Sequence, residues 1–291
     1  MGNDSTSHYR GVTINGQWTG ICQILDNSQA VRQLYRWRKP RRIFVCSMGD
    51  LFHEAVSVEQ LDRVFGLMAS QRKHTFLLLT KRPERMAEYL RGIYDDPKQA
   101  LRFGNSDPNN TMLVAASMRR GRPLPNVWLG VTAENQLRVD QRLPVLLQIP
   151  AAGRFISVEP MLGQIKLPQV CDHGACMDWG NHPCDNDTCP SRKLDWVICG
   201  GESGPGARPM TPEWVKDLAN QCHFAGVSFF FKGWGDWAPN CLCDTKQPHK
   251  TALRPFPGHG VMFRCGKAKS GHLHQGEEWQ EIPQGLIGGA A

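Results

Sequence analysis

The chain has 291 residues, 34 of them Lys or Arg against 27 Asp or Glu, for a net charge of +7 and a pI near 8.9. That length admits one large α/β domain or two smaller ones, and the mild positive charge is compatible with a polyanionic partner without establishing one. No run approaches the ~20 apolar residues of a membrane span, and the polar N-terminus has no signal-peptide core, so the expectation is a cytoplasmic protein with no membrane partner. Eleven cysteines, an odd count scattered along the chain, argue against a secreted disulfide framework and for metal binding or buried thiols.

In chain order, residues 12–20 read as a β-hairpin, because Asn15-Gly16 supplies the two positive-φ positions of a type I′ turn. The densest basic cluster, Arg36, Arg38, Lys39, Arg41 and Arg42, reads as a solvated lead-in to the first strand and not as a nucleic-acid footprint. That strand, 43–45, ends in Cys46-Ser47-Met48-Gly49-Asp50. Ser57 and Gln60 then have capping-box spacing and open a helix whose apolar face is Val58, Leu61, Val64, Phe65 and Met68. The strand 75–79 ends in Thr80-Lys81-Arg82, and Pro83 suits the first turn of a helix with Met86, Leu90 and Ile93 on one face.

Between 95 and 125 the pattern decays into a surface excursion. Strand 127–131 runs into Thr132-Ala133-Glu134-Asn135, and the helix after it, with Val139, Leu143, Leu146 and Leu147, is expected to bend or break near Pro144. Strand 154–158 ends at Glu159-Pro160. A polar, Cys-rich insertion at about 171–192 precedes the apolar run Trp196-Val197-Ile198-Cys199, which stops at Gly200-Gly201-Glu202-Ser203-Gly204. Its helix starts at Thr211 as N-cap and closes at Gly226. The last strand, 228–231, leads into Lys232-Gly233-Trp234-Gly235-Asp236-Trp237. Residues 1–240 thus read as one β/α domain, its hairpin at about 11–21, and 241–291 as an irregular extension that packs back through Met262, Phe263 and Trp279.

Six strand-then-helix units imply parallel strands with right-handed crossovers. A closed or partial β/α barrel, TIM-like, is favoured over a doubly wound sheet. No Rossmann glycine fingerprint follows the first strand, and polar groups follow every strand instead of one switch point. In a barrel those ends converge on one mouth, gathering Ser47, Asp50, Thr80, Lys81, Arg82, Thr132, Glu134, Ser157, Glu159, Glu202, Ser203, Arg208 and Lys232.

The same strand ends carry a resemblance. Residues 47–53 (Ser-Met-Gly-Asp-Leu-Phe-His), 79–86, 130–136, 157–163 (Ser-Val-Glu-Pro-Met-Leu-Gly), 200–210 and 230–237 are similar to motifs of a functionally uncharacterised phage-associated protein family. That family is known for an N-terminal three-cysteine motif resembling the cluster-binding loop of radical SAM enzymes, and the match runs from about residue 9 to 283. It implies a radical-SAM-like β/α barrel with an iron–sulfur cluster and S-adenosylmethionine at its mouth. It also implies a cysteine triplet upstream of the segment that begins this chain; here Cys22 and Cys46 are single, and the family usually has asparagine where Cys46 stands. Three thiolates hold three irons and leave the fourth open. No cluster is therefore expected in this chain, either because its start is truncated, with the first barrel strand, or because it is a degenerate member.

Each candidate site has a structural alternative. Gly200, Gly201, Glu202, Ser203 and Arg208 can hold the amino-acid or ribose part of S-adenosylmethionine, or form a tight turn whose glutamate pairs with the arginine. Lys81 and Arg82 suit a carboxylate or phosphate, and equally a surface pair. Glu134 and Glu159, with Lys81, are the catalytic candidates, as a general acid/base pair or as ion-pair partners of Arg82 and Lys232. Lys232 with Trp234 and Trp237 can face a base or adenine ring, although core packing is the commoner use of such tryptophans. Ser47, Asp50, Thr80 and Thr132 complete the candidate cofactor-binding set. Cys171, Cys176, Cys184 and Cys189 suit a structural zinc knuckle, or are thiols of a flexible insertion. Cys199 and Cys222 sit in apolar patterns and read as core.

The favoured function is a radical-SAM-like phage or mobile-element protein acting on nucleic acid or a nucleotide, with this chain itself inactive in radical chemistry. The alternatives are a non-catalytic module binding a nucleotide, a nucleic acid or a partner protein encoded nearby, and a cluster-independent hydrolase using Glu134, Glu159 and a divalent metal.

Overall fold

A computed structural model describes residues 13–14, 17–18, 29–46, 49–95, 123–168, 194–239, 253–256, 260–274 and 276–287 of the chain. The N-terminal hairpin is present: β1 (Thr13–Ile14) runs antiparallel to β2 (Gln17–Trp18), with Thr13 opposite Trp18. Helix α1 (Gln29–Arg36) follows. Most of the 95–125 excursion and the whole Cys-rich insertion lie outside the described residues.

Six strands then form one parallel sheet in the order in which the chain makes them. They are β3 (Arg42–Val45), β4 (Thr75–Thr80), β5 (Val127–Thr132), β6 (Gly153–Val158), β7 (Trp196–Gly200) and β8 (Ser228–Gly233). Helices α2 (Val58–Ser70), α3 (Pro83–Asp95), α4 (Gln136–Leu147) and α5 (Pro212–Ala225) make four of the five crossovers, and the β6–β7 connection runs through residues outside those described. Six strands curling in sequence order with helices on the convex side make a half-barrel. The sequence-based expectation of a partial TIM-like barrel holds.

Local signals account for the helix ends. Ser57 caps α2 in a full capping box with Gln60. Pro83 opens α3. Thr211 accepts from the Trp214 N–H at the start of α5, and Gly226 closes it at φ 67°, where a side chain would be strained. The expected break at Pro144 does not occur, and α4 runs through it to Leu147. Pro144 falls in the last turn, where one lost hydrogen bond is outweighed by burial of Val139, Leu143 and Leu146 against the core.

Strand alternation separates two cores. Phe76, Leu78, Leu129, Val131, Ile156, Val197 and Phe229 face the helices. Leu77, Trp128, Phe155, Trp196 and Ile198 fill the inside of the half-barrel. Two glycines make the inner packing possible: a Cβ at Gly130 would stand 2.4 Å from the Phe155 ring, and one at Gly153 2.3 Å from the Trp128 ring. Above these rings, toward the C-terminal ends of the strands, the inward positions turn polar.

The C-terminal extension is more ordered than its composition suggests. Strands β9 (Trp237–Pro239), β10 (Leu253–Phe256) and β11 (Gly260–Arg264) form an antiparallel sheet in the order β10-β11-β9. Helix α6 (Lys267–Ser270), hairpin β12 (Leu273–His274) and β13 (Glu277–Glu278), and α7 (Gln284–Ile287) complete it. Residues 279–281 cover the outer edge of β8, the Phe231 N–H donating to Trp279 O at 2.6 Å and the Glu281 N–H to Phe229 O at 3.0 Å. A sheet edge left bare is a template for unwanted pairing, and this contact blunts it. Ile282 and Leu286 then plug the N-terminal end of the half-barrel against the inner aromatic cluster, and Trp196 Nε1 donates to Glu281 O at 3.0 Å. None of the described helices is long and apolar enough to cross a membrane.

Candidate functional site

The strand ends enclose a cleft of about 860 Å³. Its floor is apolar, made by Phe44, Leu79, Trp196, Ile198 and Phe230, and its walls carry Asp50, Thr80, Lys81, Arg82, Thr132, Ser157, Glu159 and Lys232. Eight of the polar groups singled out in the sequence therefore do meet.

Thr132 and Ser157 are register partners at the ends of β5 and β6, only 6% and 4% exposed, and both border the cleft. Among the described residues neither hydroxyl has a hydrogen-bond partner. Neither hydroxyl is among the fully buried unpaired polar atoms of the described residues, which are His74 Nδ1, Asn126 Oδ1 and His274 Nδ1, so both stay open to the cleft and a ligand that enters it can reach them. Sequence alone marked Thr132 and Ser157 only as two members of a longer roll.

Asp50 is the hub of one wall. Its Oδ1 accepts from Thr80 Oγ1 at 2.7 Å and the Phe52 N–H at 2.9 Å; its Oδ2 accepts from the Lys81 N–H at 3.0 Å and Arg82 Nη1 at 3.1 Å. Four donors saturate a carboxylate. Asp50 thereby fixes the loop after β3 to the end of β4 and sets the direction of Lys81 and Arg82.

Lys81 reaches across to Glu134, Nζ to Oε1 at 2.9 Å. The other Glu134 oxygen takes Arg142 Nη1 at 3.1 Å, and that nitrogen also donates to Thr132 O at 2.7 Å. Burial works to raise the Glu134 pKa, but the hydrogen bonds from Lys81 and the backbone and the charges of Lys81 and Arg142 together hold it below the usual glutamate range. Glu134 is thus an ionised holder of Lys81, a poor fit to the acid half of an acid/base pair. Arg142 was missed by sequence reasoning; the available signal was an arginine inside the apolar stripe of α4, between Val139 and Leu146. On the far wall Lys232 Nζ sits 2.9 Å from Glu159 Oε1 and 3.0 Å from Oε2. Gly200, on the strand between them, leaves room for the Glu159 carboxyl, which lies 3.4 Å from where its Cβ would be.

The loop after β7 is a different construction. Arg208 grips Glu202 with Nε to Oε2 and Nη2 to Oε1, both at 2.8 Å, and its own N–H adds a third bond to Oε2 at 2.8 Å. The hydrogen bond from Arg208 holds the Glu202 carboxyl below the usual range. Gly201 and Gly235 exist for a backbone crossing. A Cβ on Gly201 would stand 2.0 Å from Trp234 O, and one on Gly235 2.2 Å from Glu202 O. Ser203 is exposed. None of Gly200, Gly201, Glu202, Ser203, Arg208 and Trp234 lines the cleft. Trp234 is 1% exposed, donates Nε1 to Leu273 O at 2.9 Å and stacks on His274; with Trp237 it is core.

Ser47 and the four insertion cysteines, Cys171, Cys176, Cys184 and Cys189, lie outside the described residues. Cys199 and Cys222 are buried, and burial pushes the Cys222 thiol up to about 12. Among the described residues no group of three or more His, Cys, Asp or Glu side chains is placed to hold a metal ion. The cleft rim carries one described thiol, Cys46, where an open-site iron–sulfur cluster takes three, so the described residues do not fit that group.

A family model described as "Protein of unknown function (DUF5131)" matches residues 6–283, and the chain belongs to that family. No curated protein and no solved structure matches the chain.

Proposed function

We propose that the cleft binds a nucleoside-containing ligand with a charged tail, S-adenosylmethionine in the form the resemblance implies, in a cytoplasmic radical-SAM-like protein of phage or mobile-element origin that acts on nucleic acid or a nucleotide. The observation that carries this reading is a pair of hydroxyls without a protein partner among the described residues, those of the largely buried Thr132 and Ser157, which open onto the cleft above an apolar floor. Ribose hydroxyls or a phosphate oxygen would satisfy them. Trp196, Phe230 and Phe44 offer ring faces and edges to a purine. The two Lys–Glu pairs, Lys81–Glu134 and Lys232–Glu159, can exchange partners with the carboxylate and ammonium of an amino-acid tail, or yield their lysines to phosphates. S-adenosylmethionine would supply an activated sulfonium to whatever is bound beside it. The chain's own residues hold and orient, and no radical step is assigned to them, because the described thiols do not make a cluster site.

Binding is measured by calorimetry with S-adenosylmethionine, S-adenosylhomocysteine, adenosine and ATP. The Thr132→Val/Ser157→Ala variant should bind about 10-fold more weakly with an unchanged melting temperature, the loss expected for about one hydrogen bond. Lys232→Ala should weaken S-adenosylmethionine and leave adenosine unaffected. No saturable binding of any nucleoside, or full affinity in the double variant, removes the proposal.

A further inference from the structure

The opposite end of the half-barrel holds a second cavity, about 520 Å³, bordered by Arg41, Arg42, Thr75 and Gln280 and backed by Ile282 and Leu286. Arg42 and Thr75 are register partners, two residues before the partners Phe44 and Leu77. Leu77 belongs to the inner cluster and Phe44 lines the upper cleft. By strand alternation Arg42 and Thr75 therefore point inward at the base of the half-barrel. Thr75 is 6% exposed, and its hydroxyl has no partner among the described residues. Arg41 is held by its stack on Trp37, its guanidinium 4.6 Å from the ring centroid, which fixes the plane while leaving N–H edges to donate. Neither arginine has a carboxylate partner among the described residues.

Two loops bring more cations to the same end. Thr75 N–H donates to Arg41 O at 2.9 Å, and His74 Nε2 meets Leu34 O at 3.2 Å. The segment 36–42 is thus pinned beside the segment 72–75. Arg38, Lys39 and Lys73 are exposed and Arg72 half-buried, and none has a carboxylate partner among the described residues. The solvated lead-in read from sequence is one side of a larger basic face.

We infer that this face is a docking site for a nucleic-acid backbone, with one phosphate seated between Arg41, Arg42 and Thr75. Two guanidinium groups and a hydroxyl with no acid among them suit a phosphodiester, and the flanking cations match successive phosphates instead of one small anion. Arginine predominates over lysine, as planar recognition of phosphate favours. Tyr35, six residues before Arg41 in the chain, is 59% exposed and of a type suited to stacking on a base. Thr80 at the upper cleft lies five residues along β4 from Thr75, about 17 Å along the strand, and the two sites share no lining residue.

The test is fluorescence anisotropy of a short labelled duplex with the full chain, between about 50 and 200 mM NaCl. Binding should weaken with salt, with a log–log slope of roughly −0.9 per phosphate neutralised. Arg38→Glu/Lys39→Glu/Lys73→Glu should lose more than ~10-fold in affinity and flatten the slope. Thr75→Val, which removes only the hydroxyl, should lose about 3-fold or more. Arg38→Gln/Lys73→Gln is the milder pair should the triple reversal fail to fold, and Arg138→Glu, at an exposed position of α4, is the control that matches this pair in net charge. Four results overturn the inference: no duplex binding at low salt, wild-type affinity in the seat variants, an equal loss in Arg138→Glu, or charge-dependent binding to phosphatidylserine vesicles without binding to the duplex.

Discussion

The loop after β7 and the loops after β4, β5 and β6 use the same residue types for different ends. In sequence the β7 loop is the more conspicuous, with four glycines, an acid, a serine and an arginine in nine residues. Yet its glutamate and arginine satisfy each other, and its Gly201 lets one backbone cross another. The plainer loops after β4 to β6 keep their groups around open space, and there Thr132 and Ser157 are left without partners. Glycines and opposite charges together mark a crowded turn as readily as a ligand loop. A hydroxyl that opens onto a cleft and has no protein partner is the better sign of a site.

Four substitutions sharpen that contrast. Gly201→Ala should have the largest effect, about 3 kcal/mol of stability, because the new methyl meets a backbone carbonyl that has nowhere to go; a melting temperature equal to wild type would mean that the crossing is loose. Asp50→Ala comes next, about 2 kcal/mol by denaturant titration, since Thr80, Lys81 and Arg82 lose a shared acceptor. It should also weaken cleft binding by misdirecting Lys81, which Gly201→Ala should not do in molecules that remain folded.

Glu134→Gln is a pH experiment. The folded pKa of Glu134 is lowered, so its contribution is fully present above the unfolded glutamate value of about 4.3 and is lost as pH falls through the lower folded value. The variant should be less stable than wild type near neutrality, with the gap closing below about pH 4. A gap that stays constant with pH would show that the Lys81–Glu134–Arg142 arrangement contributes nothing electrostatic. Arg208→Lys should do least. Its guanidinium is exposed, so stability should stay within the scatter of a melting curve and cleft affinity should not move.

Much of the half-barrel was legible in advance. Six apolar runs, four of them followed by a helix with recognisable ends such as Ser57, Pro83 and Thr211, leave few topologies once parallel strands and right-handed crossovers are required. The gathering of Asp50, Lys81, Glu159 and Lys232 at one mouth follows from that topology. What could not be read was which charges find each other. Arg142 comes from the middle of a helix to Glu134, and Arg82 goes to Asp50 and not to a glutamate, whereas the Glu159–Lys232 pair was one of the readings the residues allowed. Ile282 and Leu286 return from late in the chain to plug the base.

The sequence by itself determined the strand count, the helix ends and the polar character of one rim, because propensity, capping and hydrophobic period act over a few residues. Tertiary structure alone decided that Glu134 is answered by Lys81, that Thr132 and Ser157 have no protein partner among the described residues, and that Arg42 shares the base with Arg72, Lys73 and Thr75. Those outcomes depend on distances between segments dozens of residues apart. Only closure of the sheet sets those distances.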